Sequence, residues 1–197
     1  MATSWGVIIF QLREHWRLTV LLLAAALGLE AAAIKETGEL WAAAVCTAVM
    51  VPEAVLDGIY CRLYHRLSLA LFAAGLSAAL AAELVYGHGQ LWRAAGGSAC
   101  FGGLLLAVYL GSRGGLGFGD ICYGTALGIV LGMEKAILAF CLTFMLGLAA
   151  AAVVYLHSFA SGRKTIRQIP LGPFMLLGSL MSLLWGRELM AWYIRML

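Results

Sequence analysis

Residues 135–157 read KAILAFCLTFMLGLAAAAVVYLH, and no side chain between Lys135 and His157 carries a charge. An α-helix rises about 1.5 Å per residue, so about 20 apolar residues cross the roughly 30 Å hydrocarbon core of a bilayer. Six further apolar runs lie at 18–34, 40–57, 67–86, 91–110, 121–133 and 170–186. They do not alternate with a period of two, so they are not barrel strands, and in lipid the backbone must then close its hydrogen bonds inside helices. The sequence predicts an all-α fold, a polytopic transmembrane helix bundle of about seven spans. It forms one integral membrane domain over residues 1–197, with the lipid bilayer as its surroundings.

Composition points the same way. Hydrophobic types make up 63% of the 197 residues and charged types 12%, and the mean hydropathy is +0.93. Soluble domains are about 45–50% apolar and about 25% charged, so a soluble globular domain, a disordered tail and a coiled coil are excluded. The net charge of +3 is small and its basic residues cluster between apolar runs. That is a membrane-topology pattern rather than the broad basic face of a nucleic-acid binder, and no nucleic-acid partner is expected. Cys46, Cys61, Cys100, Cys122 and Cys141 include no C-x-x-C pair, and His15, His65, His88 and His157 show no ligand spacing. The reading therefore assigns no metal and no cofactor.

Seven spans put the chain ends on opposite sides. With the N-terminus inside, the inner segments hold Arg13, Arg17, Arg62, Arg66, Arg113, Arg163, Lys164 and Arg167, and the outer ones hold Lys35, Arg93, Lys135, Arg187 and Arg195. Cytoplasmic loops carry the excess of Lys and Arg, so the N-terminus is expected in the cytoplasm and the C-terminus outside.

The chain has two aspartates, Asp57 and Asp120, and this topology puts both at the cytoplasmic boundary. An ionisable group beside hydrocarbon is costly and is a functional hypothesis by default. Two carboxyls held together share a proton and act as general acid and general base on one water. Asp120 closes the loop Gly115-Leu116-Gly117-Phe118-Gly119-Asp120. Glycine at every second position is expected to supply backbone freedom and close approach for an extended peptide. Glu53 lies one turn before Asp57 on the same helix face, where it is expected to support the pair or line a water path, and Pro52 is placed to kink that helix. Glu30 and Glu83 read as boundary charges. Gly96, Gly97, Gly102 and Gly103 suit close helix packing.

The G-x-G-x-G-D stretch after an apolar helix resembles the signature of the type IV prepilin peptidases, the GxGD membrane aspartic proteases. Two more stretches are similar to that family's motifs. Asp57-Gly58-Ile59-Tyr60-Cys61-Arg62-Leu63-Tyr64-His65-Arg66-Leu67-Ser68 follows D-x-x-x-x-R-x-P-N-x-L-T in its aspartate, arginine, leucine and hydroxyl residue. Ile169-Pro170-Leu171-Gly172-Pro173-Phe174 follows I-P-F-[GA]-P-F. The resemblance implies a six-helix core over 40–186 with an additional N-terminal helix at 18–34. It implies catalytic Asp57 and Asp120, an active-site loop of Gly115, Gly117, Phe118 and Gly119, and supporting roles for Arg62, Pro170 and Pro173. The implied partner is a prepilin or pseudopilin precursor of a type IV pilus or protein secretion system, cut after a glycine on the cytoplasmic side of the inner membrane. Tyr64-His65 replaces the family's Pro-Asn, and Cys122 stands where a lysine is usual. With no zinc-binding C-x-x-C loop, the chain resembles the small, peptidase-only members, and methylation of the new amino terminus would need another protein.

Two rivals are weighed. A presenilin-like or signal-peptide-peptidase-like protease also uses G-x-G-D, but its P-A-L and Tyr-Asp motifs do not occur here. A small transporter or proton relay through Asp57, Asp120 and Glu53 would place its carboxylates at mid-membrane, whereas both aspartates fall at one boundary.

Overall fold

The computed structural model describes residues 5–34, 37–87, 89–112, 115–160 and 169–196, and only the backbone of 33, 37–39, 41, 42, 193 and 194. Lys35, His88, Arg113, Arg163, Lys164 and Arg167, used above for topology or ligand spacing, lie outside the described residues. Among the described residues the chain forms seven helices and no strand: α1 (Trp5–Glu14), α2 (Trp16–Ala33), α3 (Thr37–Tyr60), α4 (His65–Tyr86), α5 (Gln90–Gly111), α6 (Phe118–Ala160) and α7 (Gly172–Met196). Five are long and apolar enough to cross a membrane, and α1 with α2 makes a sixth if that pair, bent by 84°, is one span. Leu84, Trp92, Leu148 and Phe159 face outward, as apolar side chains do where the solvent is lipid.

The fifth and sixth apolar runs are two limbs of α6. A straight helix of 43 residues would be about 65 Å long, twice the hydrocarbon thickness. The chain avoids this at Gly132, whose φ of 73° and ψ of 169° belong to a region open essentially to glycine. The neighbours of α5 reveal the reversal. A Cβ on Gly102 would face Thr125 and one on Gly96 would face Met133, yet Phe101 stacks edge-on against Phe140 at 6.1 Å. Residue 140 has come back to the level of 125, so limb 133–160 runs antiparallel to limb 118–131. The sequence suggested a break at Glu134; the turn is two residues earlier because only Gly132 tolerates its geometry.

The two limbs, α5 and α7 form the heart of the bundle. Phe101, Leu105, Tyr123, Leu127 and Met175 are fully buried there. Gly97 and Gly128 let α5 and the first limb touch: a Cβ on Gly128 would lie 2.7 Å from the Gly97 carbonyl carbon. The close packing expected at Gly97 and Gly102 is present, whereas a Cβ on Gly103 would meet nothing within 4 Å. α7 lies along the second limb, with the Ser182 hydroxyl donating to the Lys135 carbonyl at 2.7 Å.

Two details of the sequence reading change. Residues 5–14 form a helix of their own, which is too short to span and buries Ile8 with Leu12 beside it against Leu56, Tyr60, Tyr64 and Leu67. Glu30 is not a boundary charge: it is fully buried where α2 packs on α3, and the Thr47 hydroxyl donates to its Oε1. Its Oε2 has no partner. Helix α3 continues through Pro52. Glu83 does sit at a helix end, accepting the N–H groups of Gly89, Gln90 and Leu91 at the start of α5.

Candidate active site

Asp57 lies near the end of α3 and is 5% exposed. Its position is fixed from across the bundle. The Leu171 carbonyl accepts the first bond of α7, from Met175 at 3.0 Å, so Gly172 and Pro173 occupy the first turn. Pro173 has no N–H to lose there, and the free N–H of Gly172 donates to Asp57 Oδ2 at 2.7 Å. The positive end of a helix thus addresses a carboxylate. Gly172 must be a glycine for room: a Cβ would lie 2.8 Å from Asp57 Cβ.

Asp120 is held by its own turn. It is the third residue of α6, and its Oδ2 accepts the Gly117 N–H at 2.9 Å, while its N–H donates to the Gly117 carbonyl at 3.1 Å. The side-chain bond is half of a capping box, an acidic residue reaching back to the N-cap N–H. The glycines serve space rather than unusual dihedrals. Among the described residues the glycines with positive φ are Gly87, Gly89 and Gly132. A Cβ on Gly117 would lie 3.0 Å from Asp120 Oδ2, and one on Gly119 would lie 3.0 Å from Leu63 Cβ. Of the two uses expected of these glycines, their surroundings show close approach, and it is to the protein's own side chains.

Asp57 and Asp120 line one cavity of about 520 Å³ at the same end of the bundle, within electrostatic reach of each other. Gly117, Gly119 and Arg62 line it too, as do Cys61, His65 and Arg66 on the segment after Asp57. Among the described residues, neither aspartate's Oδ1 takes a hydrogen bond. One oxygen of each carboxyl is thereby left for a water or a peptide, the donor and acceptor set that acid–base hydrolysis needs.

Other residues singled out in the sequence stand around this cavity. The ring of Phe118 is exposed and meets His65 edge-on at 6.2 Å. Gly115 donates its N–H to the Ser112 carbonyl at 3.2 Å and is not in the lining. Pro173 packs over Gly58, its Cγ 3.2 Å from where a Cβ would stand, and Pro170 is half-buried just before α7. Glu53 is fully buried behind Asp57. The Ser68 hydroxyl donates to its Oε1, its Oε2 has no partner, and it lies within electrostatic reach of Asp57. The Tyr123 hydroxyl donates to the Met50 carbonyl at 3.2 Å, tying α6 to α3 just above Pro52.

Sequence reasoning missed Gly172, Ser68 and Ile8. Gly172 sits inside a motif whose prolines drew the attention. Ser68 matches the motif's hydroxyl position without a stated role. Nothing in the sequence connects Ile8 with the aspartates whose cavity it lines.

Comparison with known proteins adds two findings. Residues 41–152 match the type IV leader peptidase family. The prepilin leader peptidase/N-methyltransferase of Bacillus subtilis (strain 168) is 29% identical over 160 residues, which cover 80% of this chain and 61% of that relative. The chain therefore spans less than two thirds of the relative's length. No solved structure matches significantly.

Proposed function

The chain belongs to the type IV leader peptidase family, and from that premise we propose that it is a membrane aspartic endopeptidase. Its substrate is a prepilin or pseudopilin precursor, and its catalytic pair is Asp57 and Asp120. The observation that carries this reading is that both aspartates line one cavity at one end of the bundle, each held through one oxygen by a backbone N–H.

One carboxylate, ionised, takes a proton from water as the water oxygen bonds to the scissile carbonyl carbon. The other, protonated, gives its proton to the carbonyl oxygen, forming a tetrahedral diol. Collapse of the diol passes a proton to the amide nitrogen and breaks the C–N bond. The two carboxyls share the protons as a unit, so neither residue owns the acid or the base role. Arg62, His65 and Arg66 line the same cavity, and this basic concentration supports a cytoplasmic site by the positive-inside tendency. Cleavage after a glycine, in the cytoplasmic membrane, follows from the family resemblance. The methyl transfer in the relative's name is not assigned to this chain, whose cysteines form no C-x-x-C pair.

The test is co-expression with a precursor. Asp57→Asn and Asp120→Asn should each abolish leader removal while the protein still accumulates in the membrane, and near-normal cleavage by either variant would overturn the pair. Reporter fusions at residues 112 and 88 test orientation: a cytoplasmic readout at 88 contradicts it.

A further inference from the structure

Helix α1 lies outside the family match at 41–152, yet one of its side chains reaches the aspartate cavity. Ile8 is 1% exposed and lines that cavity with Asp57 and Asp120. Apart from Leu63 it is the aliphatic part of a lining otherwise made of charged, polar, aromatic and glycine residues. The helix is fastened where Ile8 must be held. The Tyr64 hydroxyl donates to Gln11 Oε1 at 2.5 Å and the Tyr60 hydroxyl to Glu14 Oε2 at 3.2 Å. The Arg66 guanidinium lies 5.9 Å from the centre of the Trp5 ring. All of these anchors belong to the segment that follows Asp57. Phe10 on the same helix is 69% exposed, so α1 rests along the bundle end with an apolar side facing outward and Ile8 turned in.

We propose that α1 is a wall of the substrate cleft and that Ile8 sets the size of the apolar side chain accepted next to the scissile bond. The inference rests on the peptidase reading above. A wall of fixed volume beside the reacting peptide admits a small side chain and excludes a large one. Discrimination by such a wall is worth about 10-fold or more per methylene-sized change. A residue that only holds the fold would instead lower the cleavage of all substrates alike.

The experiment measures kcat/KM in proteoliposomes for a panel of precursors carrying Ala, Leu, Phe or Trp directly after the cut, with the glycine before it kept. Wild type is compared with Ile8→Ala, Ile8→Val and Ile8→Phe. The expected result is a rise of about tenfold in the large-over-small ratio for Ile8→Ala, a smaller rise for Ile8→Val and a fall for Ile8→Phe. If Ile8→Ala does not accumulate, the opposite shifts of Ile8→Val and Ile8→Phe decide. Ratios unchanged while wild type cleaves overturn this inference alone. A wild type that cuts no precursor overturns the peptidase reading and this inference with it.

Discussion

The Gly172 N–H donates to Asp57 Oδ2 at 2.7 Å, a bond between residues 115 positions apart. It makes the start of α7 part of the site and explains why a glycine stands between Pro170 and Pro173. Gly172→Ala would put a Cβ within 2.8 Å of Asp57 Cβ, so the carboxyl or the helix must move. A hydrogen bond to a charged group is worth about 1.5–3 kcal/mol, so leader cleavage should fall about 10- to 100-fold. Membrane accumulation should be retained, and an immunoblot of precursor and product at matched enzyme levels reads both.

The turn at Gly132 gives a contrasting expectation. With φ at 73°, Gly132→Ala should cost about 1–3 kcal/mol of stability and leave the aspartates in place. The variant should lose thermal stability in detergent while keeping cleavage per folded molecule near wild type. An unchanged melting temperature would contradict the strained turn.

Glu53 and Ser68 should behave as a unit. Ser68→Ala leaves a buried carboxyl without its donor, a loss of about 1–3 kcal/mol. Adding Glu53→Met removes the buried polar group and should restore much of the stability, because paired sites are non-additive. Thermal melts of the two single variants and the double variant close that cycle.

Glu30 predicts a local effect. Glu30→Ala removes the acceptor for the Thr47 hydroxyl and leaves a gap between α2 and α3. Protease accessibility of the N-terminal segment should rise, with little change at α5, α6 or α7. A uniform rise along the chain would show that α2 and the core unfold together.

The sequence was legible where a property is local. Helices α3, α4, α5 and α7 each contain one apolar run, because length and apolarity decide a span without reference to neighbours. Asp57 and Asp120 stood out as the two aspartates of an apolar chain with motif context. What depends on a partner was hidden. Glu30 read as a boundary acid because nothing in its run announces Thr47 opposite it. Residues Trp5–Glu14 are too short to register as a span, and their docking depends on Leu56 and Tyr64. The loop glycines read as supplying backbone freedom and close approach for a peptide, whereas the bulk that crowds them is Leu63 and the Asp120 carboxyl of the protein itself.

The reversal at Gly132 leaves a short limb inside the bundle. The limb that begins with Phe118 and carries Asp120 rises about 21 Å, roughly 9 Å less than an average hydrocarbon slab. From Gly119 to Leu131 none of its residues is exposed, so this short limb is sheathed by neighbouring helices rather than by acyl chains. The depth of Asp120 within the bundle is therefore set by protein packing rather than by the thickness of the surrounding bilayer.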